Sequence, residues 1–172
     1  MSKSLFTFCP YDGARLVART DGEGRQRPTC SACGFVDYCN PKPCVEIVVE
    51  EQGRVLLGRR AFEPSLGLWD ILGGFIETDE TAEAAVHREI AEESGLQVRI
   101  TRYLGSFPDV YGPWEVPTLS FAFTAEPIGG VLRSASDVAE LRWFAAEDLP
   151  TEWAFPHQPK VIAAWRQQGS KS

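Results

Sequence analysis

The sequence of 172 residues lacks the features that define several classes of protein. It has no apolar run near the roughly 20 residues that a membrane-spanning helix needs. Its N-terminus, MSKSLF, has neither the apolar stretch nor the cleavage site of a secretory signal. We therefore expect a cytoplasmic protein with no membrane partner. Repeats and low-complexity tracts are also absent, and 44% of the residues are hydrophobic, which excludes disordered and fibrous proteins.

Positive charge is scarce as well. The chain has 17 Lys and Arg against 24 Asp and Glu, a net charge of −7. Because nucleic-acid binding depends on neutralising phosphates, we expect no nucleic-acid partner. The acidic excess is local, since residues 74–96 contain seven acidic groups and one basic group. Like charges at helical spacing destabilise a helix, so this density requires a physical reason.

Two prolines, Pro41 and Pro43, predict a boundary, because neither can continue a helix or a strand ladder. They separate an N-terminal segment of residues 1–43, rich in Cys, Gly and Pro, from a domain of residues 44–172. Apolar patterning in the domain predicts strands over 45–49, 55–58, 98–101, 103–107, 118–125 and 140–144. It also predicts helices over 81–94 and after Pro159, and the prolines and aromatic residues of 107–117 favour a loop.

Three carboxylates of the predicted helix, Glu89, Glu92 and Glu93, lie at positions i, i+3 and i+4. Their side chains therefore converge on one side of the helix, and Arg88 adjoins them. Carboxylate oxygens gathered in this way suit a hard divalent cation such as Mg²⁺ or Mn²⁺. The alternative is a solvated acidic helix face without a ligand.

The order of the acidic residues decides between these interpretations. Gly74 is followed after five residues by Glu80 and after seven more by REIAEESGL, residues 88–96. This resembles the Nudix box, G-x5-E-x7-R-E-U-x-E-E-x-G-U with U a bulky aliphatic residue, and all nine defined positions match. Residues 67–75 and 140–150 also look like Nudix segments, although Leu72 stands where many relatives have proline. The resemblance covers roughly residues 44–168 and implies an α/β/α sandwich around a mixed sheet.

The Nudix resemblance implies hydrolysis of a nucleoside diphosphate linked to another group. Divalent ions would neutralise the pyrophosphate and activate the attacking water. Carried over position by position, the catalytic residues are Arg88, Glu89, Glu92 and Glu93, and the three glutamates are also Mg²⁺ or Mn²⁺ ligands. A backbone carbonyl of Gly73 or Gly74 and Glu80, through water, would complete the site, while Arg88 would orient a glutamate. The candidates for a general base on later segments are Glu115, Asp137 and Glu140.

Five cysteines, at positions 9, 30, 33, 39 and 44, all lie in the first quarter of the chain. In a cytoplasmic protein this clustering favours a metal site over disulfides. Cys30 and Cys33 form one knuckle of a zinc ribbon, and Cys9 begins a second knuckle with Asp12 where a fourth cysteine is expected. We therefore expect structural zinc bound by Cys9, Asp12, Cys30 and Cys33. A lost or weakened site, or Cys39 as a substitute ligand, is the alternative.

A zinc ribbon followed by this domain is similar to Nudix hydrolases that act on NADH, FAD or ADP-ribose. The run SQPWPFP that marks NADH pyrophosphatases is absent, which favours ADP-ribose or FAD over NADH or a nucleoside triphosphate. The resemblance is also compatible with a homodimer. Other interpretations are a nucleotide sensor that does not cleave and a zinc protein that binds nucleic acid. Candidate substrate-binding residues are Arg59, Arg60, Phe107, Tyr111, Trp114 and Glu140.

Overall fold

The computed structural model describes residues 5–169 and divides the chain into two units, Met1–Pro41 and Lys42–Ser172. The first unit contains a two-stranded antiparallel sheet of β1 (Val17–Thr20) and β2 (Gln26–Thr29). Asp21 fixes the turn between these strands, because its carboxylate accepts hydrogen bonds from the amides of Glu23 and Arg25 at 2.9 and 2.8 Å.

The second unit contains a six-stranded sheet and two helices. Its strands have the spatial order β6-β7-β3-β5-β4-β8, and β3 pairs parallel to β7 while the other pairings are antiparallel. This mixed sheet with two helices confirms the predicted α/β class. The elements are β3 (Lys42–Glu51), β4 (Arg54–Arg60), β5 (Trp69–Phe75), α1 (Ala82–Ser94), β6 (Leu96–Tyr111), β7 (Val116–Gly130), β8 (Val138–Ala145) and α2 (Gln158–Gly169).

The two helices cover opposite faces of the sheet. Successive strand side chains point to opposite faces, so Ile47 of β3 packs in one apolar cluster and Val48 in the other. The first cluster includes Val86 and Ile90 of α1, and the second includes Val161 of α2. This arrangement is the α/β/α sandwich that the resemblance implied. Within the described residues, no helix is long and apolar enough to cross a membrane.

The prediction of a loop over residues 107–117 is wrong. Strand β6 continues to Tyr111, and β7 begins at Val116, so only residues 112–115 form a turn. Residues 107–111 pair in antiparallel register with 116–120. Strand β6 is an edge strand, where the missing amide of Pro108 is tolerated. The hairpin therefore continues through the segment despite its prolines.

Candidate functional site

Helix α1 carries two buried carboxylates. Thr81 caps its N-terminus by accepting a hydrogen bond from the amide of Ala84, and Gly95 ends it in the left-handed conformation at φ 70°. Between these caps, the exposed fractions of Glu89 and Glu93 are only 9% and 5%, whereas the side chain of Glu92 is 53% exposed. Carboxylates are rarely buried without a partner, so Glu89 and Glu93 require compensation.

The glycine pair of β5 allows the backbone to reach these carboxylates. The Gly73 amide donates to Glu93 Oε2 at 3.0 Å. A Cβ atom at Gly74 would lie 2.3 Å from Glu89 Oε1. A Cβ at Gly73, where φ is +149°, would lie 2.1 Å from the carbonyl oxygen of Val45. Gly73 therefore requires glycine, whereas a side chain at Gly74 would displace the Glu89 carboxylate.

Arg88 connects Glu89 to the neighbouring carboxylates of Glu80 and Glu92. Its guanidinium donates to Glu80, to Glu89 Oε1 at 2.8 Å and to Glu92 Oε2 at 3.3 Å, and also to the carbonyl of Phe75 at 2.9 Å. The hydrogen bonds with Glu80 raise the pKa of Arg88 and lower the pKa of Glu80. With four acceptors around it, Arg88 orients glutamates.

The electrostatics of the two buried carboxylates favour a cation. Burial raises the pKa of Glu89, and Glu92 and Asp137 add to this shift against the opposing charge of Arg88. Burial, followed by the charges of Asp137, Glu89 and Asp70, raises the pKa of Glu93 well above its ordinary value. A divalent ion held by these oxygens would remove the repulsion, and an all-oxygen donor set fits Mg²⁺ or Mn²⁺.

A pocket of about 130 Å³ lies next to these carboxylates. Five of its lining residues are candidate site residues from the sequence, namely Arg60, Gly73, Gly74, Tyr111 and Asp137. The full lining comprises Cys44, Val45, Glu46, Arg60, Asp70, Ile71, Gly73, Gly74, Phe75, Asp109, Val110, Tyr111, Thr118, Ser120, Asp137, Phe155 and His157. Because Gly73 and Gly74 also contact the carboxylates, the pocket and the candidate metal site share a wall.

Four candidate substrate-binding residues lie outside the lining of this pocket. Arg59 donates to the carbonyl of Gly67 at 2.8 Å and is 3.6 Å from Glu140, which also pairs with Arg142. Phe107 packs against the apolar cluster under α2. Trp114 is 76% exposed in the turn between β6 and β7.

The pocket also contains a buried polar network that the sequence did not reveal. His157 contacts Asp109 through Nδ1 and lies 2.7 Å from Glu46 Oε2 through Nε2. Gln158 donates to Glu46 Oε1 at 3.1 Å and to Asp70. These residues come from β3, β5, β6, the segment before α2 and α2 itself, so no local motif contains them.

In the first unit, Cys9, Asp12, Cys30 and Cys33 form a cluster whose ligand atoms all lie within 4.8 Å of one another. The sulfur atoms of Cys9 and Cys33 are 3.5 Å apart, and Cys30 Sγ is 3.3 Å from Asp12 Oδ2. The amide of Ala14, followed by the cysteine contacts, lowers the pKa of Asp12 to about 2. Tetrahedral zinc at ~2.3 Å from thiolates places sulfur atoms about 3.8 Å apart, so the cluster fits zinc.

Comparison with known proteins identifies the domain. The NUDIX domain model matches residues 42–165. An ADP-ribose pyrophosphatase from Methanocaldococcus jannaschii is 34% identical over 125 residues, which cover 73% of this chain and 73% of that protein. An NAD-capped RNA hydrolase NudC from Vibrio vulnificus is 33% identical over 145 residues, or 83% of this chain and 52% of that protein. The chain thus spans about half the length of several NudC relatives.

The fold comparison agrees with the sequence comparison. A NUDIX hydrolase from Nitrosomonas europaea superposes with a TM-score of 0.76 at 26% identity, and the match covers 95% of this chain and 93% of that chain. The family model, the relatives and the fold therefore all show that the chain belongs to the Nudix hydrolase family.

Proposed function

We propose that this protein is a divalent-metal-dependent pyrophosphohydrolase that cleaves a nucleoside diphosphate linked to another group, with ADP-ribose or FAD as the preferred substrate. The observation that carries the proposal is the pair of buried carboxylates, Glu89 and Glu93, against the Gly73–Gly74 backbone at the wall of a pocket. Bound Mg²⁺ or Mn²⁺ would neutralise the phosphate oxygens and lower the pKa of the attacking water.

The positions of these residues support a role for each of them. Glu89, Glu92 and Glu93 would hold the cation with a carbonyl of Gly73 or Gly74, and Arg88, which also contacts Glu80, fixes the orientation of Glu89. Asp137 is the best placed general base, since it lines the pocket and its charge affects both Glu89 and Glu93. A carboxylate oxygen of Asp137 would take the proton from the attacking water.

The relatives support a small nucleotide as the substrate. The Methanocaldococcus jannaschii relative is named an ADP-ribose pyrophosphatase. The Vibrio relatives are named NAD-capped RNA hydrolases, so the expected absence of a nucleic-acid partner has no support from them, and NAD-capped RNA belongs among the substrates to test. Arg60 and Tyr111 line the pocket in which a substrate group would bind.

The test is hydrolysis of a panel comprising ADP-ribose, FAD, NADH, NAD-capped RNA and nucleoside triphosphates with Mg²⁺ or Mn²⁺. We expect fastest cleavage of ADP-ribose or FAD, and Glu93→Gln should reduce turnover on the order of 1,000-fold or more. Glu83→Gln, which makes the same change at an exposed position of α1, is the matched control. Absence of metal-dependent cleavage, or equal turnover of the two variants, would contradict the proposal.

We also propose that the N-terminal segment of residues 1–43 binds one structural zinc ion through Cys9, Asp12, Cys30 and Cys33. The convergence of three sulfur atoms and one carboxylate supports this proposal. Cys39 lies outside the cluster and contacts Asp37 instead. Metal analysis of the purified protein should therefore find one zinc per chain, and its absence would contradict the assignment.

A further inference from the structure

Three aromatic rings in contact with one another, those of Phe75, Tyr111 and Phe155, line the pocket beside Glu89 and Glu93. The centroids of Phe75 and Tyr111 are 5.4 Å apart, and those of Tyr111 and Phe155 are 5.8 Å apart. The guanidinium of Arg60 lies 5.2 Å from the centroid of Phe155. Such a surface favours contact with a flat ring or the apolar face of a sugar.

The hydrogen-bonded network adjoins these rings, since Phe155 lies beside the His157 ring with centroids 6.4 Å apart, and donors and acceptors alternate along it. Asp109 contacts His157, His157 contacts Glu46, and Gln158 joins Glu46 to Asp70. Arg60 Nη1 ends the network with a bond of 2.8 Å to Asp70. The side chains of Glu46, Asp109 and His157 are each at most 10% exposed, so every member is fixed in place by its neighbours.

The charges of this network do not cancel. Arg60 balances Asp70 in a buried ion pair. His157 is the single cation between two carboxylates, Glu46 and Asp109. Burial lowers the pKa of His157, but its bonds to Glu46 and Asp109 outweigh burial and raise the pKa overall. Because both ring nitrogens face carboxylate oxygens, both donate, and the ring carries a positive charge. The network therefore contributes one excess negative charge to the pocket wall in a poorly solvated position, where its field is weakly screened, and Asp137 adds a further carboxylate to the same wall.

A different use of the same residues is excluded by their geometry. Ser120 Oγ lies 3.2 Å from His157 Nε2, and Asp109 contacts Nδ1, which resembles a Ser-His-Asp triad. However, Glu46 Oε2 is closer to Nε2, at 2.7 Å. Because Nε2 donates its hydrogen to Glu46, it has no free lone pair and cannot accept the proton of Ser120. The network therefore acts through its charge and not as a nucleophilic centre.

We propose that Asp109, His157 and Glu46 make this pocket selective for an uncharged or cationic group of the substrate and exclude a phosphate. This inference rests on the proposed function, because the pocket receives the group attached to the diphosphate. ADP-ribose, which ends in a ribose, is then accepted in preference to ATP, which ends in a phosphate. His157 is a positioning residue, since both ring nitrogens contact carboxylates.

Binding measurements on uncleavable ligands test the proposal. The probes are ADP-ribose and ATP analogues with methylene groups in place of the bridging anhydride oxygens, titrated by calorimetry with Mg²⁺. Asp109→Asn removes one negative charge. It should lower the dissociation constant of the ATP analogue, relative to that of the ADP-ribose analogue, by about fivefold. His157→Gln removes the positive charge and should shift the same ratio in the opposite direction. Glu126→Gln, at an exposed ion pair with Arg99, should leave the ratio unchanged.

Shifts of this ratio in opposite directions distinguish an effect of charge from damage to the fold. A disrupted pocket would change the ratio in the same direction in both variants. An unchanged ratio, or shifts of the same sign, would overturn the inference. The result stands whether or not the protein cleaves ADP-ribose, since the analogues cannot be hydrolysed. Absence of hydrolysis of natural ADP-ribose would contradict the proposed function alone.

Discussion

At the scale of single residues, Gly74 brings the strand backbone against the carboxylate of Glu89, a proposed metal ligand. A Cβ atom there would lie 2.3 Å from Oε1 of Glu89, at the far end of a flexible side chain. We predict that Gly74→Ala keeps the fold, because the carboxylate can move, but loses correct ligand geometry. Metal-dependent turnover should fall on the order of 100-fold, measured as kcat/KM on the best substrate.

The control for this prediction is Gly22→Ala, where an added Cβ meets nothing within 4 Å. Its turnover should equal that of the unmodified protein. If Gly74→Ala retained full turnover at limiting Mg²⁺, the placement of Glu89 as a metal ligand would be wrong.

At the scale of elements, helix α1 depends on its first cap to present Glu89 and Glu93. Thr81 Oγ1 accepts the amide hydrogen of Ala84 at 3.2 Å. Thr81→Ala should lower the free energy of unfolding by about 1 kcal/mol, measured by urea denaturation. Thr81→Ser retains the hydroxyl and should cost much less. Equal losses in the two variants would show that the cap hydrogen bond contributes little.

In the β6–β7 hairpin, a prediction of secondary structure from the local sequence fails. The prolines and aromatic residues of 107–117 favour a loop, yet residues 107–111 pair with 116–120. Pairing between segments stabilises strands that local propensity disfavours. The helix over 82–94 could be predicted, by contrast, because its capping residues, its apolar periodicity and its box carboxylates are all local.

The cysteine knuckles of the first unit give a second prediction at the scale of elements. Asp12→Ala should weaken zinc binding at least about tenfold, because it removes one of the four proposed ligands, whereas Asp12→Cys should preserve binding. Competition with a chromogenic chelator measures both affinities. Cys39→Ser is the control and should retain zinc, since Cys39 lies outside the cluster. Equal affinities of Asp12→Ala and the unmodified protein would remove Asp12 from the ligand set.

At the scale of the whole molecule, the separation of residues along the chain explains how much of the site could be predicted. This separation is short in the Nudix box and long in the pocket network. The box residues lie within 23 positions of one another, at the fixed spacing of one loop and one helix. His157 is 48 positions from Asp109 and 111 from Glu46. No period or spacing connects such residues, and only the packing of α2 beside the sheet brings them together. The candidate metal ligands could therefore be predicted from the sequence, and the pocket network could not.

The same network predicts how stability depends on pH. Burial lowers the pKa of His157, but Glu46 and Asp109 reverse this and raise it above the ordinary value of 6.5, so the folded chain holds this proton more tightly than the unfolded chain. The stabilisation is complete below that ordinary value and is lost as pH rises through the folded-state pKa. The unmodified protein should therefore exceed His157→Gln in free energy of unfolding most at about pH 6, and by less towards about pH 9. His87→Gln, at an exposed position of α1, is the matched control. A difference that stayed constant or grew with pH would show that His157 is not held as a cation between Glu46 and Asp109.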